Sequence, residues 1–88
     1  MNDPYMKLRE QLELQEWPNV YLFKFIIPNN PELLAKTTAL FDDGADVHYQ
    51  PSKKGNYMSV SAKEMMISVD SIIDRYERAA KIKGLVAL

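Results

Sequence analysis

The sequence predicts an α+β fold, with two helices on one face of an antiparallel four-stranded sheet and an extra N-terminal helix in front. Three observations carry that expectation. Short aromatic and β-branched runs alternate with stretches of helical periodicity. A turn-forming loop containing Gly55 and Asn56 joins two of those runs into a hairpin. The chain has 88 residues, and a domain of that size buries only about 60–65% of the surface its unfolded form exposes, so it holds one core. Hydrophobic residues at 47% and charged residues at 26% exclude a disordered tail or a collagen-like fibre.

Residues 1–16 read as the N-terminal helix, running from Asp3 to Glu16. Asp3 can cap it, and Pro4 suits the first position, where no backbone N–H is needed. Tyr5, Leu8 and Leu12 share one face, and Trp17-Pro18 breaks the helix. Residues 17–88 make the rest of the domain. Val20 to Ile27 (VYLFKFII) reads as a central strand. In Pro28-Asn29-Asn30-Pro31, Asn30 can cap and Pro31 can open a helix. Its apolar period (Leu33, Leu34, Thr37, Leu40, Phe41) runs to about Asp42, and Asp43-Gly44 ends it.

Ala45 to Gln50 follows as a second strand, Pro51 to Asn56 as the hairpin loop, and Tyr57 to Ala62 as a third strand that alternates polar and apolar. Residues 63–67 (KEMMI) fit strand and loop equally. Ser68 can cap a last helix with Val69, Ile72, Ile73, Tyr76 and Ala80 on one side. Gly84 ends it, and Leu85 to Leu88 forms a short fourth strand.

After the leading helix the order is β-α-β-β-α-β. That order implies a ferredoxin-like split-βαβ sandwich, with strands in the spatial order fourth, first, third, second. Phe23, Phe25, Val47, Tyr49, Met58 and Val60 then pack under the helices. The other face shows Lys24, Asp46, His48, Gln50, Tyr57, Ser59 and Ser61, with Leu22 and Ile26 among them. The leading helix or a second subunit is expected to cover those two apolar side chains.

Net charge is −1, unevenly spread. Residues 1–50 carry four basic side chains against eight acidic ones, and residues 51–88 carry seven against four. The topology brings Lys53 and Lys54 toward Arg78, Lys81 and Lys83, near free N–H groups around Pro31 and Glu32, and so makes a basic end. No apolar run approaches the roughly 18 residues that span a bilayer, and the first residues lack a signal peptide's apolar stretch. Zero Cys fits a reducing cytoplasm and removes thiolate chemistry. With one His as well, no metal site and no cofactor are expected.

The run Pro51-Ser52-Lys53-Lys54-Gly55-Asn56-Tyr57-Met58-Ser59-Val60-Ser61 resembles the hairpin of the YbeD-like family of small bacterial proteins of unknown function. Glu16-Trp17-Pro18 before the first strand is similar to that family's Glu-Phe-Pro. The resemblance covers nearly the whole chain and implies a ferredoxin-like fold similar to ACT regulatory domains, with no catalytic assignment. Pro31-Glu32-Leu33-Leu34-Ala35 resembles the Pro-Gly-φ-Leu-Ala turn of ACT domains. Glu32 replaces the Gly there, adding bulk and negative charge where a ligand carboxylate would sit.

Lys53, Lys54, Gly55, Asn56 and Tyr57 are the candidate binding residues. Lysine charge and backbone N–H groups at a hairpin tip suit a protein partner or a small anion. His48 with Asp46 two residues away gives half of a general-base arrangement, while Ser59 and Ser61 sit mid-strand rather than on a strained turn. No enzyme is expected. Lys54-Gly55-Asn56-Tyr57 resembles the opening of an RNA-recognition motif, but Ser59 and Ser61 stand where its aromatics are needed, which argues against nucleic acid. The expectation is a non-enzymatic regulatory or binding module acting through a protein partner. Self-association is open to it, with a sensor of a small anionic metabolite or amino acid as the alternative.

Overall fold

The computed structural model describes residues 3–88, so Met1 and Asn2 of the expected N-terminal helix lie outside the described residues. The elements run α1 (Met6–Glu13), β1 (Asn19–Pro28), α2 (Pro31–Thr38), β2 (Asp46–Pro51), β3 (Tyr57–Met66), α3 (Val69–Ala79) and β4 (Val86–Ala87). The strands form one antiparallel sheet in the order β2-β3-β1-β4.

Local chemistry sets the helix ends. The Asp3 carboxylate accepts the Tyr5 N–H at 2.9 Å, so Asp3 and Pro4 form a lead-in turn and α1 starts only at Met6. At its other end the Leu12 carbonyl accepts the Trp17 indole N–H at 2.8 Å and the Gln15 N–H at 3.1 Å, so the last turn closes there. The expected helix to Glu16 therefore stops at Glu13. Asn30 starts α2 by accepting the Glu32 and Leu33 N–H groups at 2.9 and 3.1 Å, with Pro31 in the first helical position. The helix ends at Thr38, short of Asp42, because the chain tightens into three-residue turns there. Leu40 N–H bonds Thr37 C=O and Phe41 N–H bonds Thr38 C=O, both at 3.1 Å. Those turns drop Leu40 into the core. Ser68 and Ser71 cap α3 reciprocally. Ile72, Ile73, Tyr76 and Ala79 are buried, while Ala80, expected inside, is exposed one position past the buried stripe.

Strand β3 continues through the ambiguous 63–66 stretch. Its alternation turns Val60, Ala62, Glu64 and Met66 inward together. Strand β2 begins one residue later than expected and takes in Pro51. The hairpin closes with Ser52 N–H on Tyr57 C=O at 2.8 Å, so the even-numbered backbone groups of β2 face β3 and the odd-numbered ones face outward. Pro51 is odd-numbered, and its missing N–H falls where no ladder bond is made. Strand β4 is only two residues long, against Phe25 and Ile26.

The core lies between the sheet and the helices. Phe23, Phe25 and Ile27 from β1 are fully buried. Around Phe23 the ring centroids of Tyr21, Tyr76, Phe41 and Phe25 stand at 4.8, 5.5, 5.9 and 6.0 Å. Helix α1 joins this same layer. Leu12 enters the core, Tyr5 stands 6.4 Å from Tyr76, and Arg9 bonds Asp70 at 2.6 Å. It does not cover the open sheet face, where Leu22 stays 46% exposed. That corrects the expectation that the leading helix roofs Leu22 and Ile26: Tyr5, Leu8 and Leu12 find a better apolar seat beside α3.

Gly84 ends the turn after α3 with φ +79°. A Cβ there would come within 2.9 Å of Pro28 Cγ, so the return to β4 is pressed against the end of β1. No helix among the described residues is long and apolar enough to cross a membrane.

Candidate functional site

The β2–β3 hairpin ends in Lys53, Lys54, Gly55 and Asn56, all exposed, with Tyr57 half exposed at the start of β3. The tip is clamped from inside and from outside. Inside, Gly55 N–H bonds Ser52 C=O at 2.9 Å and Tyr57 N–H bonds Ser52 Oγ at 3.0 Å, with Gly55 at φ +78°. Outside, Asn29 holds it by two groups. Its main-chain N–H donates to Asn56 C=O at 2.9 Å, and its side-chain amide donates to Gly55 C=O at 2.8 Å. The tip is thereby anchored to the β1–α2 corner.

Some of the backbone N–H groups at this end are already engaged. The Gly55 and Tyr57 N–H groups are spent inside the hairpin, and the Glu32 and Leu33 N–H groups are spent on Asn30. None of these four is free for an anion. The tip presents two lysine side chains, a tyrosine ring and the Lys53, Lys54 and Asn56 N–H groups, which join no hydrogen bond among the described residues.

On the other side of the same corner lies an open cleft of about 460 Å³. It is lined by Pro28, Asn30, Glu32, Leu33, Lys36, Lys83 and Gly84. Glu32 bonds Lys36 at 3.4 Å across one turn of α2. Lys83 thus reaches the corner from the β4 side while Lys53 and Lys54 belong to the β3 side. Arg78 turns back toward Asp74 on its own helix, at 3.8 Å. Lys36 and Lys83 therefore line the cleft, while Lys53 and Lys54 stand at the β2–β3 tip.

The other candidates lie on the open face. His48 Nε2 stands 3.1 Å from Asp46 Oδ1, with the two side chains 72% and 68% exposed. Strand β2 brings the pair together as the spacing implies, but in solvent and with no third polar group in the contact. Ser59 and Ser61 stand opposite Ile26 and Lys24 in the β1–β3 register, so the middle of the face offers no stacking ring. Tyr57 is the one aromatic on that face among the described residues.

Sequence reasoning missed the polar group that the core is built around. Glu64 and Arg75 are buried and bond bidentately, Nη1 to Oε1 at 2.8 Å and Nη2 to Oε2 at 2.9 Å. The Asp42 N–H also reaches Glu64 at 3.3 Å. Arg75 lies over Phe23 and Phe41, with Cζ 5.2 and 5.6 Å from the ring centroids. Hydrogen bonds from Arg75 hold the Glu64 carboxyl below its ordinary range, against the upward push of burial. Burial and a hydroxyl–hydroxyl bond of 2.8 Å to Tyr21 push the Tyr76 phenol well above its ordinary value. The signal for the pair was present in β3: carrying the alternation two residues past Ala62 points Glu64 inward. With that geometry in place, comparison with known proteins adds no assignment, since no family model, curated protein or solved structure matches the chain.

Proposed function

We propose that this chain is a ferredoxin-like domain of the YbeD-like kind, related in architecture to ACT domains, and that it works as a non-enzymatic binding module. It engages a protein partner through Lys53, Lys54, Gly55, Asn56 and Tyr57. The strand order β2-β3-β1-β4 with the helices on one face supports the architecture. The resemblance of residues 51–61 to the YbeD-like hairpin supports the kinship, and the absence of Cys supports a reducing compartment.

The single observation that carries the function is the double clamp by Asn29. The main-chain bond continues the β1–β3 register past Pro28 and Tyr57, and the Asn29 side chain adds a further tie to Gly55. A loop that must meet a partner gains from being ordered beforehand, because little conformational freedom is then lost on contact. The two exposed lysines at the tip suit side-chain contact with an acidic surface.

The test is a paired capture from native lysate. Lys53→Glu combined with Lys54→Glu is expected to lose a specific protein that the wild type and a Lys7→Glu control both retain, with thermal stability unchanged. Equal capture by all three chains removes the assignment. The cleft beside Lys36 and Lys83 carries a second reading, a small anionic ligand. A thermal-shift panel of anions and amino acids checks it. A ligand at about 100 times its dissociation constant adds about 2.7 kcal/mol, worth roughly 4–8 °C for each kcal/mol in a domain of this size. No shift across the panel removes that second reading.

A further inference from the structure

Strand β1 is far longer than one of the two strands beside it. It runs from Asn19 to Pro28, and β3 pairs with it over that whole length, whereas β4 pairs only with Phe25 and Ile26. One more bond, from Leu88 N–H to Lys24 C=O at 2.9 Å, ends the cover. That bond shows which groups lie open. Lys24 C=O points toward β4 and Asn29 N–H points toward Asn56 on the β3 side, so even-numbered residues of β1 direct their backbone groups away from β3. The Val20 N–H is taken by the Asn19 side chain at 2.8 Å. Leu22 N–H, Leu22 C=O and Val20 C=O join no hydrogen bond among the described residues. Helix α1 packs against α3 and supplies no bond to these groups.

Exposed edges are ordinarily guarded by a proline, a charge or a bulge. Asn19 to Phe23 carries no proline and no charge, and its register with β3 is unbroken. Its open-face side chains are apolar instead. Val20 is 52% and Leu22 46% exposed, and Met65, directly opposite Val20 on β3, is 61% exposed. Around Leu22 the face turns basic, with Lys63 opposite it and Lys24 two residues along. Both lysines are exposed, and neither joins an ion pair among the described residues.

Backbone donors and acceptors at a two-residue spacing are the complement of another extended backbone. We propose that an extended segment of a partner protein adds to β1 over Asn19–Phe23, in line with β4. It places an apolar side chain against Val20 and an acidic one within reach of Lys24 and Lys63. The lane is about 16 Å long, room for about five residues. A second copy of β1 does not fit there. Pairing two β1 edges about a twofold axis through Leu22 would set Val20 of the partner subunit where Leu88 already lies beside Lys24. This surface lies at the opposite end of β1 from the Lys53–Lys54 tip and stands independently of that assignment.

Amide hydrogen exchange of the full chain, followed residue by residue by NMR, gives the first test. In the free chain Leu22 N–H is expected to exchange about 100-fold faster than the amides of Tyr21 and Phe23, which face β3. Slow exchange at Leu22 in the free chain means that the lane is already filled, a second copy included, and overturns the proposal. The second test uses peptides selected on the full chain from a random display library. They are expected to share an acidic and an apolar residue two positions apart, and at saturation to slow Leu22 exchange by about tenfold. Leu22→Pro removes the donor without touching a bond to β3, and Leu22→Glu keeps the donor but repels the acidic side chain. Each is expected to raise the peptide's dissociation constant by about tenfold, with circular dichroism and the thermal midpoint checking the fold. A library that yields no binder overturns the proposal. So do selected peptides that leave Leu22 exchange unchanged, or that bind both variants as well as wild type. Lys53 and Lys54 are untouched throughout, so failure here leaves the tip's reading to its own test.

Discussion

Replacing Arg75 with Ala is expected to destabilise the fold by about 3–5 kcal/mol, the cost of leaving a carboxylate buried without its counter-ion. Glu64 would keep only the long contact from Asp42 N–H at 3.3 Å. Against the roughly 5–15 kcal/mol of a whole domain, that loss brings the native state close to its limit. The cause is the lost partner and not the lost volume, so changing both ends together should behave differently. Glu64→Met with Arg75→Met is expected to fall near wild type, since a buried ion pair contributes little net stability over apolar side chains of similar size. Urea unfolding of the three chains decides it. An Arg75→Ala midpoint within about 1 kcal/mol of wild type would show that the pair is not a structural hub.

The same pair sets the response to acid. Arg75 holds the Glu64 carboxyl below its ordinary range in the folded chain, while in the unfolded chain it titrates near about 4.3. The unfolded state therefore takes up the proton first as pH falls. The stabilisation is fully present above the unfolded value and is lost as pH drops through the lower, folded one. As pH falls below the unfolded carboxyl's value the wild type is expected to lose more stability than Glu64→Gln, which has no carboxyl to titrate there. Parallel slopes for the two chains would contradict this.

Phe23→Ala is the second large effect, at about 3–5 kcal/mol. The ring is fully buried and touches four other rings as well as the Arg75 guanidinium. Two losses combine at this position. One is the cavity, and the other is the π face over which the guanidinium lies. Phe23→Leu separates them, because it keeps most of the volume and loses the face. Its cost is expected at about 1–2 kcal/mol. Equal losses for the two substitutions, measured by the same urea titration, would mean that the ring's electrons contribute more than its volume.

Much of the fold is legible in the chain because its signals are local. Asn30-Pro31 and Ser68 announce helix starts through side-chain oxygens within three residues of the amides they bond. The period of two in Tyr57 to Ala62 shows which face of β3 is wet. Signals that depend on distant partners are harder to read. Glu64 looks like a strand breaker until Arg75, eleven residues on, is brought against it by the sandwich. The seat of α1 depends on Tyr76 and Asp70, far along the chain, so an apolar stripe of Tyr5, Leu8 and Leu12 fits either face of the sheet on paper. The tip was legible as a turn rich in Lys and Gly. Its anchoring was not, since Asn29 lies 26 residues before Gly55.

The contact between Gly84 and Pro28 bears on how this sequence can drift. Two separate obstacles guard position 84, a left-handed backbone and a proline ring 2.9 Å from any added Cβ. A change at 28 alone does not free position 84, because a smaller residue there opens space and leaves the backbone angle as it was. A lineage descending from this chain would have to reshape the turn after α3 before it could lose the glycine. Gly84 is therefore expected to persist for longer than its neighbours Lys81 and Lys83.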